Sequence, residues 1–141
     1  MTKNPESILL DTHIWLWLAS GAEKGISPSL RALIERLAPH GQARISAISV
    51  WEIGILAAKG KIAFDCPVKE WISRGLRDSR IEVQDVNSEI AIESTLLSDF
   101  HEDPADRILI ATTRYLDTTL ITRDKEILSW AKERRFPALV L

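Results

Sequence analysis

The chain has 141 residues, 45% hydrophobic and 27% charged, the composition of one globular domain over residues 1–141 that can bury most of its apolar surface. Eighteen basic residues against 20 acidic ones leave a formal charge of -2, so the field of the whole molecule draws in neither nucleic acid nor an anionic membrane. Cys66, the only cysteine, excludes an internal disulfide or a thiolate metal cluster and fits a reducing cytoplasm, and neither a signal peptide nor a membrane span of ~20 apolar residues is expected.

Short apolar runs alternate with longer periodic ones, which predicts βα units around a parallel sheet. Ile8, Leu9 and Leu10 make a first strand, apolar throughout and so buried on both faces. A short helix is expected over residues 14–19. A second runs from Pro28 to Leu37, with Ser27 as its cap, and ends at Pro39, His40 and Gly41. Residues 43–46 read as a second strand, followed by a helix over residues 50–59 that closes at Gly60, where a left-handed residue is wanted. Residues 67–77 form a helix with Val68, Trp71, Ile72 and Leu76 on one face, and residues 81–83 a third strand. Asn87 caps a helix reaching Leu97, and a polar loop leads to the turn at Asp103 and Pro104. Residues 105–115 are the most strongly helical, with Ile108, Leu109, Thr112 and Leu116 toward the core. A strand over residues 120–122, a short helix over 125–130 and an edge strand over 138–141 complete the chain.

Four of these strand-to-helix passages carry an acid: Asp11, Glu52, Asp106 and Asp124. In an open parallel sheet the carboxyl ends of the strands line one crevice, where acids distant in sequence can converge. Three of the four also have a structural explanation. Ser49 and Glu52 fit a capping box, Asp103 and Asp106 fit a cap and a first-turn acid around Pro104, and Asp124 fits a cap. Asp11 does not, because an acid directly after an apolar strand is desolvated unless it is paired or faces a crevice.

Two carboxylates ~4 Å apart repel by about 4 kcal/mol at an effective dielectric of 20, so four together call for a cation. Oxygen donors without cysteine or a histidine pair suit Mg2+ or Mn2+ better than Zn2+. Such a site supports hydrolysis of a phosphodiester by an activated water, without a protein nucleophile.

The strings Leu9-Leu10-Asp11-Thr12-His13-Ile14-Trp15-Leu16-Trp17, Ile45 to Ile53 with Lys59-Gly60-Lys61-Ile62, and His101 to Ala111 with Leu120-Ile121-Thr122-Arg123-Asp124 resemble, in order and spacing, the PIN-domain ribonucleases of the VapC toxin type. That resemblance implies a three-layer α/β/α fold with a central parallel sheet. It also implies a metal-dependent RNA endonuclease silenced by a VapB-type antitoxin and pairing as a homodimer through its later helices. Residue by residue, Asp11, Glu52, Asp106 and Asp124 match the family's metal-coordinating acids. Thr12, Thr122 and Asp103 stand beside them as candidates to orient a ligand or water, with capping the stronger reading for Asp103. Arg107, Arg123 and His101 are candidate RNA contacts. Trp15, Trp17, Leu18 and Trp71 are candidate antitoxin contacts, although Trp15 and Trp17, two apart on a helix, cannot share a face.

Two other readings compete. A phosphotransfer receiver domain also gathers acids at strand ends, but it requires an acidic pair after the first strand and a lysine after the last, and neither is present. A PIN-like regulatory or interaction module without activity predicts a missing acid, and all four are present.

Overall fold

Leu9 and its neighbours in the first strand point alternately to opposite sides, and all three are fully buried, so apolar layers must cover both faces of the sheet. The computed structural model describes residues 4–21, 25–100 and 102–139 and has that arrangement. In chain order its elements are β1 (Ile8–Leu10), α1 (Thr12–Ala19), α2 (Pro28–Leu37), a 3-10 turn (Ala38–His40), β2 (Ala43–Ser46), α3 (Ala47–Ala58) and α4 (Val68–Ser79). They continue with β3 (Glu82–Gln84), α5 (Ser88–Thr95), α6 (Pro104–Leu116), β4 (Thr119–Ile121), α7 (Lys125–Arg134) and β5 (Ala138–Leu139).

The strands lie in the order β3-β2-β1-β4-β5, and every recorded pairing is parallel. The expected three-layer α/β/α architecture is therefore present. Ile8 and Leu10 of β1 face one layer with α1, α2 and α4, where Ile14, Trp15, Leu30, Ile34 and Trp71 pack. Leu9 and Leu120 face the other, with Leu109 and Ile110 of α6 and Ile127 and Trp130 of α7. The receiver alternative fails on this topology, because the doubly wound receiver sheet runs 2-1-3-4-5.

Most elements form where local chemistry puts them. Ser27 Oγ accepts from the Leu30 N–H at 3.1 Å and Asn87 Oδ1 from the Ile90 N–H at 2.9 Å, so both expected caps exist. Gly60, at φ 69°, ends α3 as expected.

The helix carrying Glu52 is the main departure. It begins at Ala47 rather than Val50, because the chain turns directly out of β2 and Ser46 Oγ caps the Ile48 N–H at 3.1 Å. The expected capping box at Ser49 and Glu52 does not form. Smaller shifts follow from pairing: β3 starts at Glu82, opposite Arg44, and β4 at Thr119, opposite Ile8. α1 starts at Thr12, α7 runs on to Arg134, and residues 140–141 of the expected edge strand lie outside the described residues.

Trp15 is fully buried and meets Trp71 edge-on at 5.6 Å, and Trp71 in turn stacks on Phe64 at 4.1 Å. Gly75 makes this approach of α4 to α1 feasible, since a Cβ there would stand 3.3 Å from both Ala19 and Trp15.

On the other layer, Arg107 of α6 ties down the end of α5 and the loop after it. Its Nε donates to the Ser94 carbonyl at 2.9 Å, Nη2 to Leu97 at 2.9 Å and Nη1 to Phe100 at 3.2 Å. These are charge-assisted bonds: the Ser94 carbonyl belongs to the last turn of α5 and lacks an intrahelical partner, and the Leu97 and Phe100 carbonyls belong to the loop after it. Arg107→Ala is expected to cost about 2–4 kcal/mol in denaturant unfolding, and Arg107→Lys, which lacks the planar fork, should recover less than half of it.

Candidate metal centre

Order along the sheet decides where a ligand binds. The chain leaves β1 toward β2 on one side and later crosses from β3 to β4 on the other, so the sheet has its topological switch point between β1 and β4. Asp11 follows β1 directly and Thr122 follows β4 directly. The two ends are joined by the Asp11 N–H, which donates to the Ile121 carbonyl at 2.9 Å. Glu52 comes from α3, and Asp106 sits in the first turn of α6, where the helix dipole favours an acid. Asp124 is the cap of α7.

Two buried threonines organise these acids. Thr12, 1% exposed, donates its hydroxyl proton to Glu52 Oε1 at 2.5 Å. A hydroxyl has one proton, so the 2.8 Å contact between Thr12 and the buried Ser49 must run the other way, with Ser49 donating to Thr12. The result is a relay from Ser49 through Thr12 to Glu52. Thr122, fully buried, donates to Asp11 Oδ2 at 2.6 Å and accepts from the Asp124 N–H at 3.0 Å. Asp11 Oδ1 accepts from the Thr12 N–H at 2.6 Å, so both oxygens of Asp11 are held.

The electrostatics carry the mark of crowded negative charge. Burial raises the Asp11 carboxyl above its usual range, although its bonds to Thr122 and Thr12 pull it back. Burial also raises Glu52, with Asp11 and Asp103 adding to the effect and the Thr12 bond opposing it. Asp106 is pushed up to about 8, first by burial and then by the charges of Asp103, Asp11, Asp124 and Glu52. Asp106 therefore feels the charges of Asp11, Glu52 and Asp124, at a site made of four separate chain segments.

Among the described residues, no group of three or more His, Cys, Asp or Glu side chains stands in an arrangement that could itself hold a metal ion. The donor set is nonetheless that of a hard divalent cation: all oxygen, strongly anionic, and braced by hydroxyl donors that fix the carboxylates from behind. In donor chemistry these residues suit such an ion.

The neighbouring candidates divide. Thr12 and Thr122 orient the acids directly. Asp103 Oδ1 accepts from the Asp106 N–H at 3.2 Å, so it caps α6 and also raises Asp106 by its charge. Asp124 caps α7 through Oδ1, which accepts from the Ile127 N–H at 3.0 Å, so capping accounts for one of its two oxygens. Arg107 is turned to the α5 carbonyls, which removes it as an RNA contact. Arg123 is exposed, with its guanidinium 6.0 Å from the Trp17 ring centre, and remains at the rim. His101 lies outside the described residues.

Trp15 is fully buried and offers no surface to a partner, a correction that follows from its packing against Trp71. Leu18 and Trp71 line a groove of about 590 Å³ beside α4, and Trp17 is half-buried. Two residues were missed from sequence. Ser49 was hidden by its fit to a capping box. Trp51, 59% exposed next to Glu52, was given no role, although its position beside an acid on a helix was readable.

Comparison with known proteins finds relatives in sequence and in fold. Ribonuclease VapC22 of Mycobacterium tuberculosis (strain ATCC 25618 / H37Rv) is 29% identical over 123 residues, covering 87% of this chain and 91% of that protein. VapBC2 from Rickettsia felis, in a crystal structure bound to a DNA fragment from its promoter, shares the fold with a TM-score of 0.66 at 16% identity over 95% of this chain and 98% of that one. A toxin-antitoxin complex from Klebsiella pneumoniae gives a TM-score of 0.59 at 24% identity, over 86% and 90% of the two chains. Residues 8–133 match the model of the PIN domain, nearly the whole length, and the chain belongs to the PIN-domain family.

Proposed function

We propose that this chain is an RNA endonuclease of the VapC toxin type, dependent on Mg2+ or Mn2+ and kept silent by a VapB-type antitoxin. The observation that carries the reading is the convergence of Asp11, Glu52, Asp106 and Asp124 at the switch point, where burial first, and then the charges of Asp103, Asp11, Asp124 and Glu52, push Asp106 up to about 8. The relative named a ribonuclease supports RNA as substrate, and the structural neighbours named as toxin-antitoxin assemblies support the partner.

The reaction is attack of water on phosphorus, with the P–O bond to the leaving ribose oxygen breaking and that oxygen taking up a proton. A bound divalent ion supplies a water of lowered pKa and charge neutralisation at the phosphate oxygens. The chain's own part is positional. Thr12 holds Glu52, Thr122 holds Asp11, and the Asp124 N–H, donating to the Thr122 hydroxyl, fixes the start of α7 against the strand end. Arg123 at the rim is suited to meet an approaching phosphate.

The groove beside α4, lined by Leu18, Phe64, Trp71 and Arg74, supports the antitoxin segment as its occupant, with Trp17 at the half-buried edge of the same helix as Leu18. Pairing of two copies through the later helices has exposed apolar side chains to use: Ile92 and Leu96 on α5, Tyr115 on α6. We take cytoplasmic RNA as the substrate pool.

Asp106→Asn is expected to reduce metal-dependent cleavage of RNA on the order of 100-fold or more, with the circular dichroism spectrum unchanged. Cleavage that survives a chelator, or persists undiminished in the variant, removes the mechanism.

The raised Asp106 also fixes a sign for pH. Its folded value of about 8 lies above the ordinary aspartate value of 3.8, so between the two the native state holds a proton that the unfolded chain releases. In chelator, stability is then greatest in acid and declines as pH rises from about 4 toward 8, by about 1–3 kcal/mol after discounting for solvent screening. Thermal melts in chelator should show that decline, Asp106→Asn should flatten it, and Mn2+ should offset it increasingly at higher pH, as protons cease to compete.

A further inference from the structure

A second groove, of about 490 Å³, opens beside the acids and shares Glu52 and Asp103 with them. Trp51, Ile55, Leu56 and Lys59 of α3 and its cap also line it. Their spacing explains why they meet there. Trp51 and Ile55, like Ile55 and Lys59, are four apart, and Glu52 to Ile55 is three, so one stripe of α3 carries an acid, an aromatic, an aliphatic floor and a cation. Trp51 is 59% exposed, an unusual state for an indole in a chain whose Trp15, Trp71 and Trp130 are buried.

Resting on the nuclease reading above, we propose that this groove is a nucleobase subsite. An unpaired base next to the scissile phosphate stacks on Trp51, and Lys59 meets the adjoining backbone phosphate. The chemistry favours this occupant. Single-stranded RNA presents alternating π-faces and phosphates, and proteins hold it with aromatic platforms beside cations. A partner protein's apolar segment would leave Lys59 unmatched, and the groove is continuous with the acids where the phosphate must sit.

The subsite makes the enzyme select unpaired RNA, tolerant of base identity because every base has a face to stack. Helical RNA, with its bases already stacked on one another, is excluded from it.

The test is steady-state cleavage of a short single-stranded RNA by wild type, Trp51→Ala and Trp51→Phe. It is run also with substrates lacking one base on either side of the cleaved bond. Trp51→Ala should raise KM about 5- to 100-fold with kcat changed far less, and Trp51→Phe should keep most of the affinity. Removing the stacked base should cost wild type a similar factor and cost Trp51→Ala almost nothing more. An unchanged KM in Trp51→Ala, while wild type cleaves with metal, overturns the subsite and leaves the nuclease standing. A loss that tracks a lowered sedimentation coefficient and is restored by raising the protein concentration assigns Trp51 to pairing instead, and also overturns it. Absence of cleavage by wild type with either Mg2+ or Mn2+ removes both readings together.

Discussion

Thr12 and Thr122 each have one hydroxyl proton, and each gives it to a carboxylate at the carboxyl edge of the sheet. Both threonines are buried, so neither proton is shared with solvent. A hydrogen bond to a charged group contributes about 1.5–3 kcal/mol, while each close pair of like charges costs about 4 kcal/mol at an effective dielectric of 20. Two such bonds therefore hold Glu52 and Asp11 in place but do not neutralise a cluster of four acids. The remaining repulsion is relieved by a proton, as the raised Asp106 indicates, or by a cation.

The fold exists around that edge in a specific sense. β1 and β4 are neighbours although most of the chain lies between them, and the residues that follow them, Asp11 and Thr122, bond directly. The prompt start of α3 at Ala47, with no loop after β2, brings Ser49 and Glu52 onto the Thr12 hydroxyl. The same stripe of α3 then lays Trp51 and Lys59 into the adjoining groove. A longer connection after β2 would change the phase of the helix and turn these side chains elsewhere. Arg107 belongs to the same logic at one remove, since it anchors the α5 end and loop that precede the α6 cap at Asp103.

Much of this was readable from the residues. Periodicity and punctuation located the helices, and the apolar Ile8, Leu9 and Leu10 implied a strand covered on both sides. Local rules failed where a longer-range contact prevailed. Ser49 and Glu52 satisfy the spacing of a capping box, but the competing cap Ser46 is set by where β2 ends, which depends on the pairing of Ser46 with Gln84 of β3. Asp103 and Asp124 show that capping and membership of an acidic cluster are not exclusive, because a cap uses one oxygen of two. Arg107 beside a proposed ligand suggested an RNA contact, and only the carbonyls of α5 reveal its structural use. Trp15 and Trp17 could be separated by helix geometry, but which one faces inward depends on Trp71 and Gly75, sixty residues away in sequence and carrying no local signal.

The account rests on the acids gathering a divalent ion at the β1–β4 edge, and anomalous scattering from a crystal of the protein soaked in Mn2+ tests this most directly. The expected result is a manganese peak within about 2–2.5 Å of carboxylate oxygens from at least two of Asp11, Glu52, Asp106 and Asp124, the range of hard divalent cations with oxygen ligands. Thr12 and Thr122 should still bond the carboxylates from behind. A fully soaked crystal with no peak at this edge, or with manganese bound only elsewhere, would contradict it.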